Sequence, residues 1–195
     1  MFFVIAVLLG SGLWMLRWSG AASTTTPDTF WYARDALRYA GHSSADADLT
    51  AAKITCGGVN PDVTRSELTY AECVRYRTRL PATAPDRFQR IFTSRPGYPL
   101  LTVPFVRVMG PAGFAAATAA LGVACGVAVA VLALLLGLRP VQALIAETLF
   151  YLLPTGLWGT RLLAEAPMLL CLLAARIGTV LLLRGSAGKA AAARR

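Results

Sequence analysis

Apolar and polar positions divide this chain into a short apolar start, a polar middle and a long apolar half. From Ala112 to Leu183, 72 residues carry only five charged side chains, Arg139, Glu147, Arg161, Glu165 and Arg176, whereas Arg17 to Arg95 carries nineteen. A charge held in hydrocarbon costs several kcal/mol, so the apolar half reads as membrane spans and the middle as a water-facing loop. Residues 1–18 predict a first transmembrane helix, with Trp14 and Trp18 as aromatic anchors at its edge. The small residues Gly20-Ala21-Ala22-Ser23 leave a cleaved signal peptide as the alternative, although no basic stretch precedes the apolar run. Residues 112–136 are free of charge and, at 1.5 Å per residue, form a helix of about 37 Å. Arg139-Pro140 ends that helix, 141–158 forms a shorter span interrupted near its end by Pro154 and Gly156, and 162–183 forms the last. The pattern predicts an all-α integral membrane protein with about four transmembrane helices. A large first loop at 19–95 and a membrane re-entry segment at 96–111 join the first span to the second.

Charge then orients the spans. The tail at 184–195 carries Arg184, Lys189, Arg194 and Arg195, and an even number of spans puts both termini on its side. The expected placement is a multi-pass protein of the cell membrane with a cytoplasmic basic tail and an extracytoplasmic loop. Arg17 and the loop cations point the other way, but a loop of roughly 80 residues is too long to weigh strongly in the positive-inside rule. The 56% hydrophobic and 15% charged content lies well away from the roughly 25% charge of soluble domains. The net charge of +9 comes with neither a dense basic tract nor a basic helix interleaved with aromatics, which excludes nucleic acid as a partner. Cys56 and Cys73 stand 17 positions apart in the loop and form a disulfide if the loop meets an oxidising compartment; two free thiols are the alternative. No CxxC or Cys/His spacing supports zinc.

Within the loop, residues 28–40 predict a helix capped by Thr26 or Asp28 and closed by Gly41. Phe30, Ala33, Leu37 and Ala40 fall near one side, with Asp28, Tyr32 and Asp35 on another, which suits an interfacial helix lying along the membrane. Residues 42–85 read as irregular, with turns at Gly57-Gly58, Asn60-Pro61 and Pro81 to Pro85 around a short helix at 65–79. Asp46 and Asp48 are expected as turn or cap residues, and His42, the only histidine, has no triad around it. Arg95 and Tyr98 flank the Pro-Gly turn that returns the chain to the bilayer. There an Arg fork grips two phosphate oxygens or simply anchors the interface.

The order of these pieces resembles the N-terminal part of the GT-C superfamily of polyprenyl-phosphate-sugar-dependent glycosyltransferases. The resemblance rests on the apolar first helix, on Pro27-Asp28 followed by Tyr32-Ala33 and Ala36-Leu37, on Ser94-Arg95-Pro96-Gly97-Tyr98-Pro99-Leu100, and on Arg161-Leu162-Leu163-Ala164-Glu165-Ala166-Pro167. It covers nearly the whole chain and implies a truncated member, half of a split enzyme or a member that has lost catalysis, since such enzymes usually have many more spans. It implies catalytic carboxylates at Asp28 and Glu165, a phosphate-holding Arg95, Arg161 one turn before Glu165, and supporting hydroxyls at Tyr32 and Tyr98. The implied partners are membrane lipids, a polyprenyl-phosphate sugar and a second membrane subunit. No organic cofactor is required, and a divalent cation near Asp28 is the one ligand of that kind the resemblance leaves open. The rival reading is a small non-enzymatic membrane protein acting as an interaction or lipid-binding module, with the Ala/Gly face of 112–126 as a helix-packing surface.

Inside the spans, Glu165 and Arg176 lie 11 positions apart, about 20° on a helix, and predict a stripe facing protein. Glu147 is the expected partner of Arg176. The same charges can equally hold helices together without any chemistry.

Overall fold

The computed structural model describes residues 1–21, 24–58 and 69–192, with side chains to residue 185. Among them every regular element is helical. Three helices are long and apolar enough to cross a membrane: α1 (Phe2–Ser19), α7 (Ala112–Leu135) and α10 (Glu165–Ala192), the last apolar through Gly185. The chain is thus an all-α protein of membrane type. A shorter apolar helix, α8 (Pro140–Leu152), packs beside them.

α7 is the centre of this bundle, touching α1, α8 and α10. Its glycines let large side chains approach: a Cβ on Gly122 would lie 2.6 Å from the Trp14 ring of α1, and one on Gly126 would lie 2.4 Å from the Tyr151 hydroxyl of α8. Tyr151 donates that hydroxyl to the Gly122 carbonyl at 3.0 Å. Arg17 closes the C-terminal end of α8 by donating to the carbonyls of Tyr151 and Leu152, two of the acceptors that a helix C-terminus leaves without internal partners.

Two span boundaries differ from expectation. Residues 141–158 do not form one helix: α8 stops at Leu152, Leu153 is extended, and Pro154 opens a separate five-residue turn, α9 (Pro154–Trp158). Proline has no N–H to continue α8, and it disfavours helical geometry in the residue before it. Residues 162–164 likewise stand outside α10. Leu162 instead ties the bundle to the loop, donating its N–H to Thr24 O at 3.1 Å and accepting from Thr29 Oγ1 at 3.1 Å.

The polar middle and the segment expected to re-enter the membrane at 96–111 together form a helical domain on the end of the bundle. Its helices are α2 (Thr29–Ala40), α3 (Ser44–Gly57), α4 (Tyr70–Thr83), α5 (Asp86–Thr93) and α6 (Gly97–Met109). α2 is the core of this domain, with α3 and α6 packed against it. Phe30, Ala33, Ala36 and Leu37 are buried, and so are Tyr32 and Asp35. The helix expected to lie along the membrane is therefore largely packed inside protein, because Tyr32 and Asp35 of its polar side are covered as well as its apolar one. Gly41 closes α2 at φ +105°, a left-handed cap that favours glycine.

α3 occupies a stretch expected to be irregular. The Ser43 side chain accepts the Asp46 N–H at 3.2 Å, and Ala47, Ala51 and Ala52 form the contact face toward α2. Asp48 pairs with Arg34 of α2 at 2.6 Å, and Asp46 accepts from His42 Nδ1 at 2.5 Å. α4 begins at Tyr70 behind a Thr69–Glu72 capping box; residues 65–68 of the expected helix lie outside the described residues. Cys56 and Cys73 are joined in a disulfide with Cα atoms 6.0 Å apart, tying the end of α3 to the start of α4.

α6 doubles back onto α7 as an antiparallel hairpin, with Tyr98 beside Thr118 and Phe105 beside Gly113. The crossing is tight, since a Cβ at Gly113 would lie 2.5 Å from the Phe105 carbonyl. Backbone cannot swing aside as a side chain can. Gly113→Ala is expected to lower stability by about 1–3 kcal/mol, read as a lower thermal midpoint in detergent; an unchanged midpoint would mean the hairpin is looser than drawn.

Candidate functional site

The loop domain and the bundle meet in a cleft of about 610 Å³. Tyr32 of α2, Arg95 in the turn before α6, Tyr98 in the first turn of α6 and Glu165 at the start of α10 all line it. The remaining wall includes Leu101, Pro167, Met168 and Cys171. One end of the cleft is thus charged and hydroxyl-bearing, and the rest is apolar.

Aromatic packing fixes the polar end. Phe92 stacks on Trp31 with centroids 5.7 Å apart and meets the edge of Tyr32 at 5.5 Å; Tyr98 meets Tyr32 from another side at 5.8 Å. The Tyr98 hydroxyl is in turn held by Thr118 Oγ1 at 3.1 Å. Tyr32 is left with a defined direction toward Arg95. Burial pushes the Tyr32 hydroxyl above its ordinary pKa; hydrogen bonding and charge from Arg95 oppose this, while Glu165 and Asp28 add to it. One phenol is therefore the common neighbour of a guanidinium and two carboxylates.

Asp28 is the N-cap residue of α2, one turn before Tyr32, and its exposed side chain makes no capping hydrogen bond. It stands outside the cleft lining, toward the Tyr32 side. Arg77 of α4 reaches the same place, donating to Pro27 O at 3.3 Å. Burial lowers the pKa of Arg77, with Tyr76 and Asp28 acting in the opposite direction. Sequence reasoning passed over Arg77 because nothing local relates α4 to the start of α2.

Arg161 is not part of the cleft. Its guanidinium lies over the Trp158 ring at 4.7 Å, and among the described residues it forms no ion pair with Glu165. Arg161 would stand one turn before Glu165 only in a continuous helix, whereas α10 starts at Glu165. The apolar wall also went unnoticed, although Met168 and Cys171 follow Glu165 at three-residue intervals that place them along neighbouring faces of one helix.

The charges deeper in the bundle do not pair either. Glu147 is fully buried and, among the described residues, neither carboxyl oxygen has a hydrogen-bond partner; it faces α1, where a Cβ on Gly10 would lie 2.8 Å from Oε1. Arg176 is exposed, as is Glu165, so the stripe they form does not face protein. Cys125 Sγ donates to Ala166 O at 3.3 Å, which sets the start of α10 level with the middle of α7. Ten residues further, about 15 Å along each helix, Arg176 stands level with the end of α7 at Leu135, and among the described residues it forms no ion pair with Glu147. A buried polar group without a partner is a net cost to folding. Glu147→Met is expected to raise stability by about 1–3 kcal/mol, measured as a higher thermal midpoint; a lower midpoint would mean the carboxyl holds a partner.

Among the described residues no three His, Cys, Asp or Glu side chains gather as metal ligands. Asp28 and Glu165 offer two carboxylates around Tyr32, enough for Mg²⁺ only where a substrate phosphate completes its shell. Comparison with protein-family models, with curated proteins and with solved structures yields no match to this chain.

Proposed function

We propose that this chain is a membrane glycosyltransferase of the GT-C kind, moving a sugar from a polyprenyl-phosphate donor to an acceptor hydroxyl on the extracytoplasmic side. The supporting observation is the single cleft that combines Arg95, Tyr32, Tyr98 and Glu165 with an apolar wall from α6 and α10. A lipid phosphate has that division of character. In this reading the acceptor hydroxyl gives its proton to Asp28 as its oxygen bonds to the anomeric carbon. The bond from that carbon to the phosphate oxygen breaks, and Arg95 and the Tyr32 hydroxyl receive the phosphate charge. Glu165 is the second catalytic carboxylate, lining the same cleft as Arg95. A divalent cation held by Asp28 and Glu165 would neutralise phosphate charge at the same place.

The accompanying topology counts α8 as a fourth span, with the basic tail cytoplasmic and the loop domain outside. It is supported by the Cys56–Cys73 disulfide, since such bonds persist in oxidising compartments. Impermeant maleimide applied to intact cells should label Cys56 only after external reduction; labelling that first requires permeabilised cells would reverse the orientation. For the chemistry, the purified chain in liposomes is supplied with a panel of radiolabelled polyprenyl-phosphate sugars and acceptor lipids. Sugar transfer is the expected outcome. Failure to bind or turn over any donor would leave the interaction-module reading in its place.

A further inference from the structure

We infer that α5 is the surface by which the loop domain rests on an anionic bilayer, with Phe88 and Ile91 dipping between headgroups and Arg87 and Arg90 meeting lipid phosphates. Helical spacing arranges the eight residues of α5 in a fixed order around the axis. Phe92 and Gln89 turn inward: Phe92 is buried against Trp31 and Tyr32, and Gln89 donates to Pro81 O and Ala84 O. Ile91 faces outward, 42% exposed, and Phe88, although one side of its ring meets Trp31 and Phe92, is 43% exposed. At 100° per residue Arg87 falls about 40° beyond Ile91, and Arg90 about 60° beyond Arg87. Exposed apolar side chains bordered by cations are the pattern of a helix seated in the plane of a membrane, where arginine stems cover the acyl boundary and their heads reach the phosphates.

Position selects the bilayer as the occupant. Arg95, two residues past the end of α5, shares the cleft with Glu165, the first residue of a candidate span. Two residues reach at most about 7 Å, so α5 ends close to the cleft and to the start of α10, a candidate span. α2, although amphipathic in sequence, cannot take this role because α3 and α6 enclose it. The inference is independent of any transferase activity.

The test uses the full chain in vesicles. Cys171 is exposed and Cys125 buried, so Cys171→Ser supplies a background in which an added Ile91→Cys takes an environment-sensitive fluorophore while the disulfide is left oxidised. Ala45→Cys, exposed at the start of α3, is the control, because α3 starts at the end of α2 away from Asp28 and α2 is about 18 Å long. In phosphatidylcholine vesicles containing about one-third phosphatidylglycerol, a spin-labelled lipid should quench the Ile91 reporter at least about twofold more than the Ala45 reporter. Arg87→Glu with Arg90→Glu should remove most of that difference, as should vesicles of phosphatidylcholine alone. Equal quenching at the two positions would overturn the seating on lipid, and quenching indifferent to both charge changes would overturn the role of the arginines.

Discussion

Replacing Cys56 and Cys73 together with serine should lower the stability of the loop domain by about 3 kcal/mol, the chain-entropy value for a loop of this length. The size follows from how little else holds α4. That helix has no buried residue; Val74 and Leu80 pack only partly against the core, and Arg77 adds one hydrogen bond to Pro27 O. The disulfide cross-links it to α3, whose own face is packed on α2. Loss of the bond should therefore be local first. Hydrogen exchange on the double variant, or on the reduced protein, is expected to show faster exchange across Tyr70–Thr83 while Ala112–Leu135 keeps its protection. Unchanged exchange in α4 would show that packing alone fixes it. Because Arg77 lies beside Asp28, the same reduction should also loosen the start of α2.

The parts of this fold legible in the sequence are those dictated by lipid as solvent. A helix that crosses hydrocarbon must be apolar over its length, so α1, α7 and α10 stand out from composition alone. The loop domain obeys another rule. α3 is announced only by Ser43 three residues before Asp46, and its alanines acquire meaning once α2 is laid against them. α2 showed its amphipathic face, but periodicity says nothing of how many neighbours cover a helix, and here Tyr32 and Asp35 of its polar side are buried too. Helix starts matter as much. Hydropathy runs unbroken through Leu162 and Leu163, whereas Pro167 is the local signal that α10 begins near Glu165, since proline is tolerated in a first turn. Read that way, Arg161 belongs to the preceding turn, where it meets Trp158 instead of Glu165. Tyr32, Arg95, Tyr98 and Glu165 were each visible as single residues, and what joins them is long-range packing of Phe92 and Tyr98 around Tyr32.

Arg95 carries the last and largest expected effect. In the proposed transfer the charge that develops is on the leaving phosphate, and removing one preorganised group that receives such charge costs about 10²–10³ in kcat. Arg95→Ala should show a loss of that order in sugar transfer and weaker donor binding. Arg95→Lys should recover only part of it, because an ammonium cannot grip two phosphate oxygens with a planar fork. Tyr32→Phe should cost less, since the guanidinium remains and only the neighbouring hydroxyl is lost. Asp28→Asn separates the two roles: it should abolish turnover while leaving donor binding near normal, because the general base acts on the acceptor and Arg95 on the donor. The variants are compared by steady-state transfer and by donor binding in the same liposomes, with thermal midpoints confirming that each remains folded. Turnover within about threefold of the parent for Arg95→Ala would remove the phosphate clamp from the mechanism, and the cleft would then have to bind its ligand through the apolar wall of α6 and α10.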